Sequence, residues 1–482
     1  MDIPISGAWW LSETACVRIP GVLSRAGSDW QLELIGTLPI TQSDEEGLAL
    51  TDLATIHGFC HGQHYTLQGC SVEMVGGPSA TFEKIEPGEP GDDQNWMRCS
   101  VQTVLRGDLV SDGTLYEQAT FQLVGLEEWW PLSGFKGALS DQYDALPGVN
   151  ITCPDRLDIT IGAVEKRART DRSRTFTESI VVTARRDEGF TLDWLHSEVI
   201  TPLRALVAIG LQTSSDAFGL RLVPLKEHTS DAVVTGQRSW VDVVEAQPTR
   251  TRVPGRSWRR PPALAPGAEA MAAFLSAWIV VSRTCAVALD AVEPRLRENA
   301  AQGQLLEAVN AAETLQRQLH PDPREFPFAE EVRQALSDAG CFTSAQRRRV
   351  RDAVKFTEMS LEHRLRRLSE GMGVELSEWL FENGSAADWA FCTATARNVL
   401  SHGLTPKHTV HTDPAALIAM IEYTRLVIIL RLMVEAGLPP GGSLIARMEA
   451  DGDLRHVQRQ RLVDCLRERS ILSAECLGHG RA

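Results

Sequence analysis

The sequence has ten cysteines but no Cys-x-x-Cys pair. They are scattered at Cys16, Cys60, Cys70, Cys99, Cys153, Cys285, Cys341, Cys392, Cys465 and Cys476. That spacing indicates neither a zinc knuckle nor a dithiol redox centre, and free thiols packed as small hydrophobes are expected. No P-loop, Gly-x-Gly-x-x-Gly or His-Glu-x-x-His pattern is present, which excludes the signatures of phosphate cradles, dinucleotide sites and zinc hydrolases. No stretch is both long and free of charge. The most apolar one, residues 415–438, carries Glu422, Arg425, Arg431 and Glu435 at helical spacing, so it reads as a core helix with a wet edge. Met1-Asp2-Ile3-Pro4 is acidic and leads no apolar run, so no export signal is read there. A cytosolic protein without membrane association is the expectation. Internal repeats and low-complexity tracts are also lacking.

At 482 residues the chain is too long for one ordinary core, which predicts two or three domains. A content of 43% apolar and 23% charged residues is that of a globular chain and excludes a disordered one. The net charge is −15 and uneven: residues 1–261 hold 23 basic against 35 acidic side chains, residues 262–482 hold 25 against 28. An acidic surface repels phosphate backbones at long range, so a general nucleic-acid coat protein is excluded. Any RNA must enter a local basic cleft, and the near-neutral C-terminal part is the better place for one.

The first third has the texture of β-structure. Apolar and polar residues alternate in Trp30-Gln31-Leu32-Glu33-Leu34-Ile35 and Tyr65-Thr66-Leu67-Gln68, with glycines and prolines between such runs. The runs 97–105, 116–124 and 180–184 continue it. A sandwich or open barrel is predicted, with a helix over 192–211 and a short strand at 220–225. Residues 247–266, rich in Pro, Arg and Thr, form the clearest linker. Beyond it only helical patterns occur: 268–291, 303–319, 329–339, 344–370, 386–402 and 414–436. The predicted architecture is α+β and multidomain. A β-rich domain spans 1–246, a linker 247–266, and an all-α bundle 267–482.

Within the helix 386–402, Trp389, Cys392 or Thr393, Ala396 and Leu400 form the buried stripe, and Gly403 stops it. Arg397, Asn398 and His402 then lie off the core side. At about 100° per residue, Asn398 and His402 differ by roughly 40° and share an edge. Arg397 is roughly 140° from His402 and meets it either through the reach of its side chain or across a second copy of the helix. These residue types suit RNA cleavage without metal. An imidazole can take the proton of a ribose 2′-hydroxyl or give one to the leaving oxygen. A guanidinium can hold the phosphate and offset its growing charge. A bland reading stands beside this: a surface Arg, and a His that complements the helix dipole.

Arg397-Asn398-Val399-Leu400-Ser401-His402-Gly403, near a helix end in a C-terminal all-helical unit, resembles the motif of the HEPN superfamily. The similarity is closer to the ApeA-like HEPN proteins of bacterial anti-phage defence. Gly7-Ala8-Trp9-Trp10-Leu11, Pro20-Gly21-Val22-Leu23, Leu32-Glu33-Leu34-Ile35-Gly36, and Ile56-His57-Gly58 leading to Tyr65-Thr66-Leu67 resemble that family's N-terminal domain. Ala312-Glu313-Thr314-Leu315-Gln316-Arg317 looks like the Ala-Leu-Glu helix preceding the catalytic one. The chain departs from the family at Gln316, where a His is common, and at Ala312, which replaces Leu. The resemblance implies an endoribonuclease acting through Arg397 and His402, with Asn398 and Glu313 as orienting groups and no cofactor. It also implies fragments ending in a 2′,3′-cyclic phosphate and a 5′-hydroxyl, with host RNA as substrate (tRNA among the candidates). Pairing of two HEPN units into a homodimer or higher oligomer, and a phage-derived trigger acting through the β domain, belong to the same expectation. The alternative is a HEPN-like module that binds RNA, a nucleotide or a partner without cutting.

Other features carry less. His57, Cys60, His61, His64 and Cys70 could be a metal cluster, but the alternation and the glycines at 58, 62 and 69 favour a hairpin with outward histidines. Arg347, Arg348, Arg349 and Arg351 open the predicted helix that also contains Arg364, Arg366 and Arg367. Such runs are usually solvated faces, and with Arg317 they are the candidate RNA-backbone contacts. The pairs Trp9-Trp10 and Trp129-Trp130 read as strand packing rather than base-stacking platforms. His408 and His411 read as loop residues.

Overall fold

The computed structural model describes residues 4–13, 16–27, 29–38, 52–53, 55–76, 96–130, 148–169, 174–225, 240–244, 264–294, 300–321, 329–339, 342–355, 359–381, 386–403 and 412–450. His408, His411, Cys341, Cys465, Cys476 and linker residues 247–263 lie outside them. The chain divides into two compact units, one of Met1–Arg204 with Ser215–Arg256, the other of Ala205–Ser214 with Ser257–Ala482.

The first unit is built on β1 (Ile5–Leu11), β2 (Ile19–Ala26), β3 (Asp29–Ile35), β4 (Asp52–Leu53), β5 (Ile56–Cys60), β6 (Gln63–Gly76) and β7 (Trp96–Arg106). β8 (Tyr116–Leu123), a helical turn α1 (Leu126–Trp129), β9 (Val149–Thr152), β10 (Leu157–Arg169) and β11 (Arg174–Phe190) follow. The helical segment α2 (Leu192–Leu195), a π turn at His196–Ile200, α3 (Thr201–Leu211), β12 (Ala217–Pro224) and β13 (Val241–Val243) complete the N-terminal part of the chain. The strand order is β4-β6-β5-β1-β2-β3-β7-β13-β12-β8-β11-β10-β9, and β6 also pairs with β7. That extra pairing closes β6-β5-β1-β2-β3-β7 into a barrel of six strands, so the barrel is closed and leaves no edge along this ring. On its other side β7 pairs with β3 over Trp96–Val101 and with β13 at Leu105 and Arg106, which carries the sheet onward to β12 and β8.

Alternation explains the interior. Trp30, Leu32 and Leu34 on β3 are buried, and Trp9, Leu23, Ile56, Leu67, Cys70, Cys99 and Val101 join them in one core. Trp9 fills the barrel because its neighbour on β5 is Gly58, where an added Cβ would run into the indole ring. The β5–β6 connection is a two-residue turn, His61-Gly62, with φ of 50° and 80°. Positive φ at both positions is the geometry that matches strand twist in a hairpin. Trp9, Trp10, Trp129 and Trp130 are all buried, so the tryptophan pairs are packing groups.

The second unit contains α4 (Met271–Thr284), α5 (Ala286–Val292), α6 (Ala301–Leu319), α7 (Ala329–Asp338), α8 (Ser344–Lys355), α9 (Leu361–Glu370), α10 (Val374–Phe381), α11 (Ala386–His402), α12 (Pro414–Glu435) and α13 (Gly442–Ala450). Two of the expected helices prove to be pairs. The run 268–291 breaks at Cys285 into α4 and α5, bent by 99°. Ser282 and Thr284 hydroxyls donate back to the carbonyls of Ile279 and Val280 there, the local competition that bends helices. The run 344–370 divides because Ser360 caps a new helix, its hydroxyl accepting from the His363 amide at 3.2 Å. α10 and α13 are additional helices, of eight and nine residues, too short to show a period. No single described helix is long and apolar enough to cross a membrane. α12 is the central helix and packs on α4, α5, α6 and α9, while α11 packs on α9 and α6.

Candidate active site

Helix α11 runs from Ala386 to His402, as the apolar stripe predicts. Trp389, Cys392, Thr393 and Ala396 are buried, whereas Leu400 is only half-buried, because the last turn rises off the core. Gly403, at φ 60°, ends the helix with its amide donating to the Val399 carbonyl at 2.9 Å. His402 is thereby the last helical residue and is exposed, while Arg397 and Asn398 are half-buried one turn earlier.

The 140° splay between Arg397 and His402 does not keep them apart. Arg397 Nη1 lies 3.2 Å from His402 Nε2 and donates to Asn398 Oδ1 at 3.3 Å. One nitrogen of the guanidinium therefore serves both neighbours, and the reach of the side chain spans the angle within a single chain. Asn398 bonds to Arg397 rather than stacking on His402. Guanidinium is only a donor, so Nε2 of His402 accepts, and the ring proton is on Nδ1 in this arrangement. A neutral imidazole with its lone pair held beside a cation is a base next to an anion-binding group.

The surroundings are polar below the surface. Thr393, one turn before Arg397, is fully buried, and its hydroxyl has no hydrogen-bond partner among the described residues. The same holds for Arg397 Nε and for both amide atoms of Gln316 on α6, which is 1% exposed. Buried polar groups without partners cost about 1–3 kcal/mol each. Such groups call for a partner, an ordered water or a ligand group among them.

Glu313 and Arg317 also lie on α6. Arg317 donates to the Glu313 carboxylate at 2.8 Å. Arg364 Nε on α9 sits 3.9 Å from the same oxygen and donates to the Met359 carbonyl at 3.1 Å. Glu313 thus bridges α6 to α9, and the hydrogen bonds among the described residues do not tie it to Arg397 or His402. Arg364 corrects the expectation of a solvated face, being 1% exposed. It falls on the stripe with Leu365 and Leu368, both buried, and that register is the signal by which the sequence could have placed it inside. On the same helix, His363 accepts from Arg366 at 3.1 Å through Nδ1. Desolvation, with Arg366 and Arg367 nearby, holds its imidazole below the usual range.

Arg347, Arg348 and Arg349 are on α8, which packs on α7, whereas α11 packs on α9 and α6. The packing does not bring these arginines into the Arg397 cluster. Arg347 is partly tied down by a bond to the Ala339 carbonyl at 3.5 Å. In the first unit, Cys60 and Cys70 point into the barrel core, and burial pushes the Cys60 thiol up to about 11. His57 bonds the Val110 carbonyl at 3.0 Å, and His61 and His64 are exposed. These residues do not converge, and among the described residues no group of three or more His, Cys, Asp or Glu could hold a metal.

A closed β-barrel unit, joined in one chain to a helical unit whose Arg–Asn–His cluster ends a helix, defines the class of protein. Residues 4–258 match the family model described as ApeA N-terminal domain 1, and residues 306–441 match that described as Apea-like HEPN. The chain belongs to the ApeA-like HEPN family, and at the family level this supports an anti-phage role of the HEPN nuclease type. No curated protein and no solved structure matches it.

Proposed function

We propose that this chain is an anti-phage endoribonuclease that cuts RNA at Arg397, Asn398 and His402 without a metal ion. The observation that carries the reading is the 3.2 Å approach of Arg397 Nη1 to His402 Nε2. In the resting cluster the guanidinium covers the imidazole lone pair. A substrate phosphate competes for the guanidinium, since it brings an opposite charge and can accept two parallel N–H bonds, whereas His402 and Asn398 offer single uncharged acceptors. That exchange frees Nε2 to take the proton of the adjacent 2′-hydroxyl. The 2′-oxygen then attacks phosphorus, the bond to the 5′-oxygen breaks, and that oxygen leaves with the proton that His402 took from the 2′-hydroxyl. The fragments end in a 2′,3′-cyclic phosphate and a 5′-hydroxyl. Asn398 steadies the guanidinium during the exchange, and Glu313 acts through the α6–α9 contact rather than on substrate.

The substrate class is host RNA, with tRNA as the first to test, and the site of action is the cytosol. Two HEPN units pair into a dimer on the strength of the family resemblance, since the short Arg397–His402 distance removes the geometric need for a second copy. The β-barrel unit restrains or triggers cutting in response to a phage component. End-chemistry of fragments from total RNA treated with the full chain tests the reading. Cyclic phosphates at the 3′ ends support it; 5′-phosphate and 3′-hydroxyl ends contradict it.

A further inference from the structure

A cleft of about 390 Å³ opens in the first unit. Its walls come from β6 (Gln68), β7 (Gln102, Thr103), the turn before β8 (Asp112), the first residue of β8 (Tyr116) and the start of α2 (Asp193). The volume is at the lower end of the range for small-molecule sites, about 300–1,000 Å³. Among the described residues no lysine or arginine lines it, and two carboxylates do. An anion is therefore repelled and a cation drawn in.

Among the described residues, the hydrogen bonds already made by the lining side chains leave acceptors unspent. Gln68 spends an amide N–H on the Ser111 carbonyl at 3.4 Å, which leaves its own carbonyl oxygen as an acceptor. Asp112 takes the Thr55 hydroxyl on Oδ1 and keeps its second oxygen. Tyr116 supplies a second, independent sign. It lines the cleft, is 2% exposed, and its hydroxyl has no hydrogen-bond partner among the described residues. Burial pushes its pKa up to about 12, so the phenol stays neutral and can accept from a ligand donor or give to a ligand hydroxyl. A buried hydroxyl with no partner is costly to a fold, and a ligand donor reaching it recovers that cost.

We propose that this cleft binds a small primary-amine cation, its ammonium group held by Asp112 and Asp193 and a neighbouring polar group by Tyr116. Linear polyamines and amino sugars both present this chemistry. The test is calorimetric titration of the full chain with spermidine, with glucosamine and with uncharged glucose. Saturable one-to-one binding of either amine, with glucose much weaker, supports the proposal, and the tighter amine names the source. Asp193→Asn and Tyr116→Phe should each weaken that binding by about three- to tenfold, the value of one hydrogen bond. Tyr116→Phe should do so with the unfolding midpoint unchanged or raised, because no described residue partners the hydroxyl in the free protein. No binding of either amine, glucose binding as well as glucosamine, calcium ions binding in place of both amines, or indifference to both substitutions would each overturn it.

Discussion

Replacing Arg397 with alanine should separate stability from activity. Within the described structure the guanidinium makes bonds to Asn398 at 3.3 Å and to His402 at 3.2 Å, the latter at an exposed helix end. Such bonds contribute roughly 0.5–1.5 kcal/mol each at most and less where water competes. Against them stands the buried Nε, which has no partner among the described residues and whose removal relieves a desolvation cost. The two effects nearly cancel, and Arg397→Ala should change unfolding free energy by less than about 1 kcal/mol. Catalysis should respond differently. A guanidinium that binds the phosphate and offsets charge in the transition state is worth about 10²–10³ in rate. The assay is single-turnover RNA cleavage alongside urea unfolding of the same preparation. A variant that loses about 3 kcal/mol of stability and cuts poorly only because it is unfolded would contradict this role for Arg397. So would one that is stable and cuts as fast as wild type.

Glu313→Ala should destabilise the helical unit by about 1–2 kcal/mol, because it withdraws the carboxylate beside the buried Arg364. Chemical denaturation measures it, and a change below a few tenths would show that the α6–α9 bridge is idle. Burial holds the folded-state pKa of His196 below its ordinary 6.5, with Arg204 adding to the effect and Asp193 opposing it. The unfolded chain then binds the extra proton first, so stability is full above about pH 6.5 and falls as pH drops through that value toward the folded pKa. His196→Gln should flatten this slope in unfolding curves from pH 7.5 to 5; an unchanged slope would place the acid sensitivity elsewhere. If the HEPN units act as a pair, specific activity should fall as the full chain is diluted past its dimer dissociation, followed by light scattering. Constant activity in a demonstrable monomer would end the dimer requirement.

Elements with a clean period were legible from sequence. β3 alternates apolar and polar residues, and α11 carries one stripe closed by Gly403, so both were placed to within a residue. Barrel closure was not legible, since it depends on β6 pairing with β7 across residues 77–95, a long-range contact that no local pattern encodes. The breaks at Cys285 and Ser360 were hidden for a different reason. Both runs are good helix formers, and the interruptions come from side-chain bonds of Ser282, Thr284 and Ser360 to the backbone. At the site, residue types and spacing pointed to Arg397 and His402, and of the two ways to bring them together the structure shows the reach of the arginine within one chain. Helical geometry positions Cβ atoms, and the long arginine side chain travels the remaining distance. Arg364 was misread because the arginine run around it masked its place on the Leu365–Leu368 stripe.

The central claim is that His402 supplies the general acid–base group of a metal-independent ribonuclease. Its most direct test is cleavage of total RNA and of tRNA by the purified full chain and by His402→Ala, both in excess EDTA. The imidazole sits at an exposed helix end and holds no part of the core, so the variant should fold as wild type does. Wild type should cut in EDTA, and the variant should be slower by about 10²–10⁴. Cleavage by His402→Ala within about threefold of wild type, or wild-type cleavage that EDTA abolishes and a divalent ion restores, would contradict it.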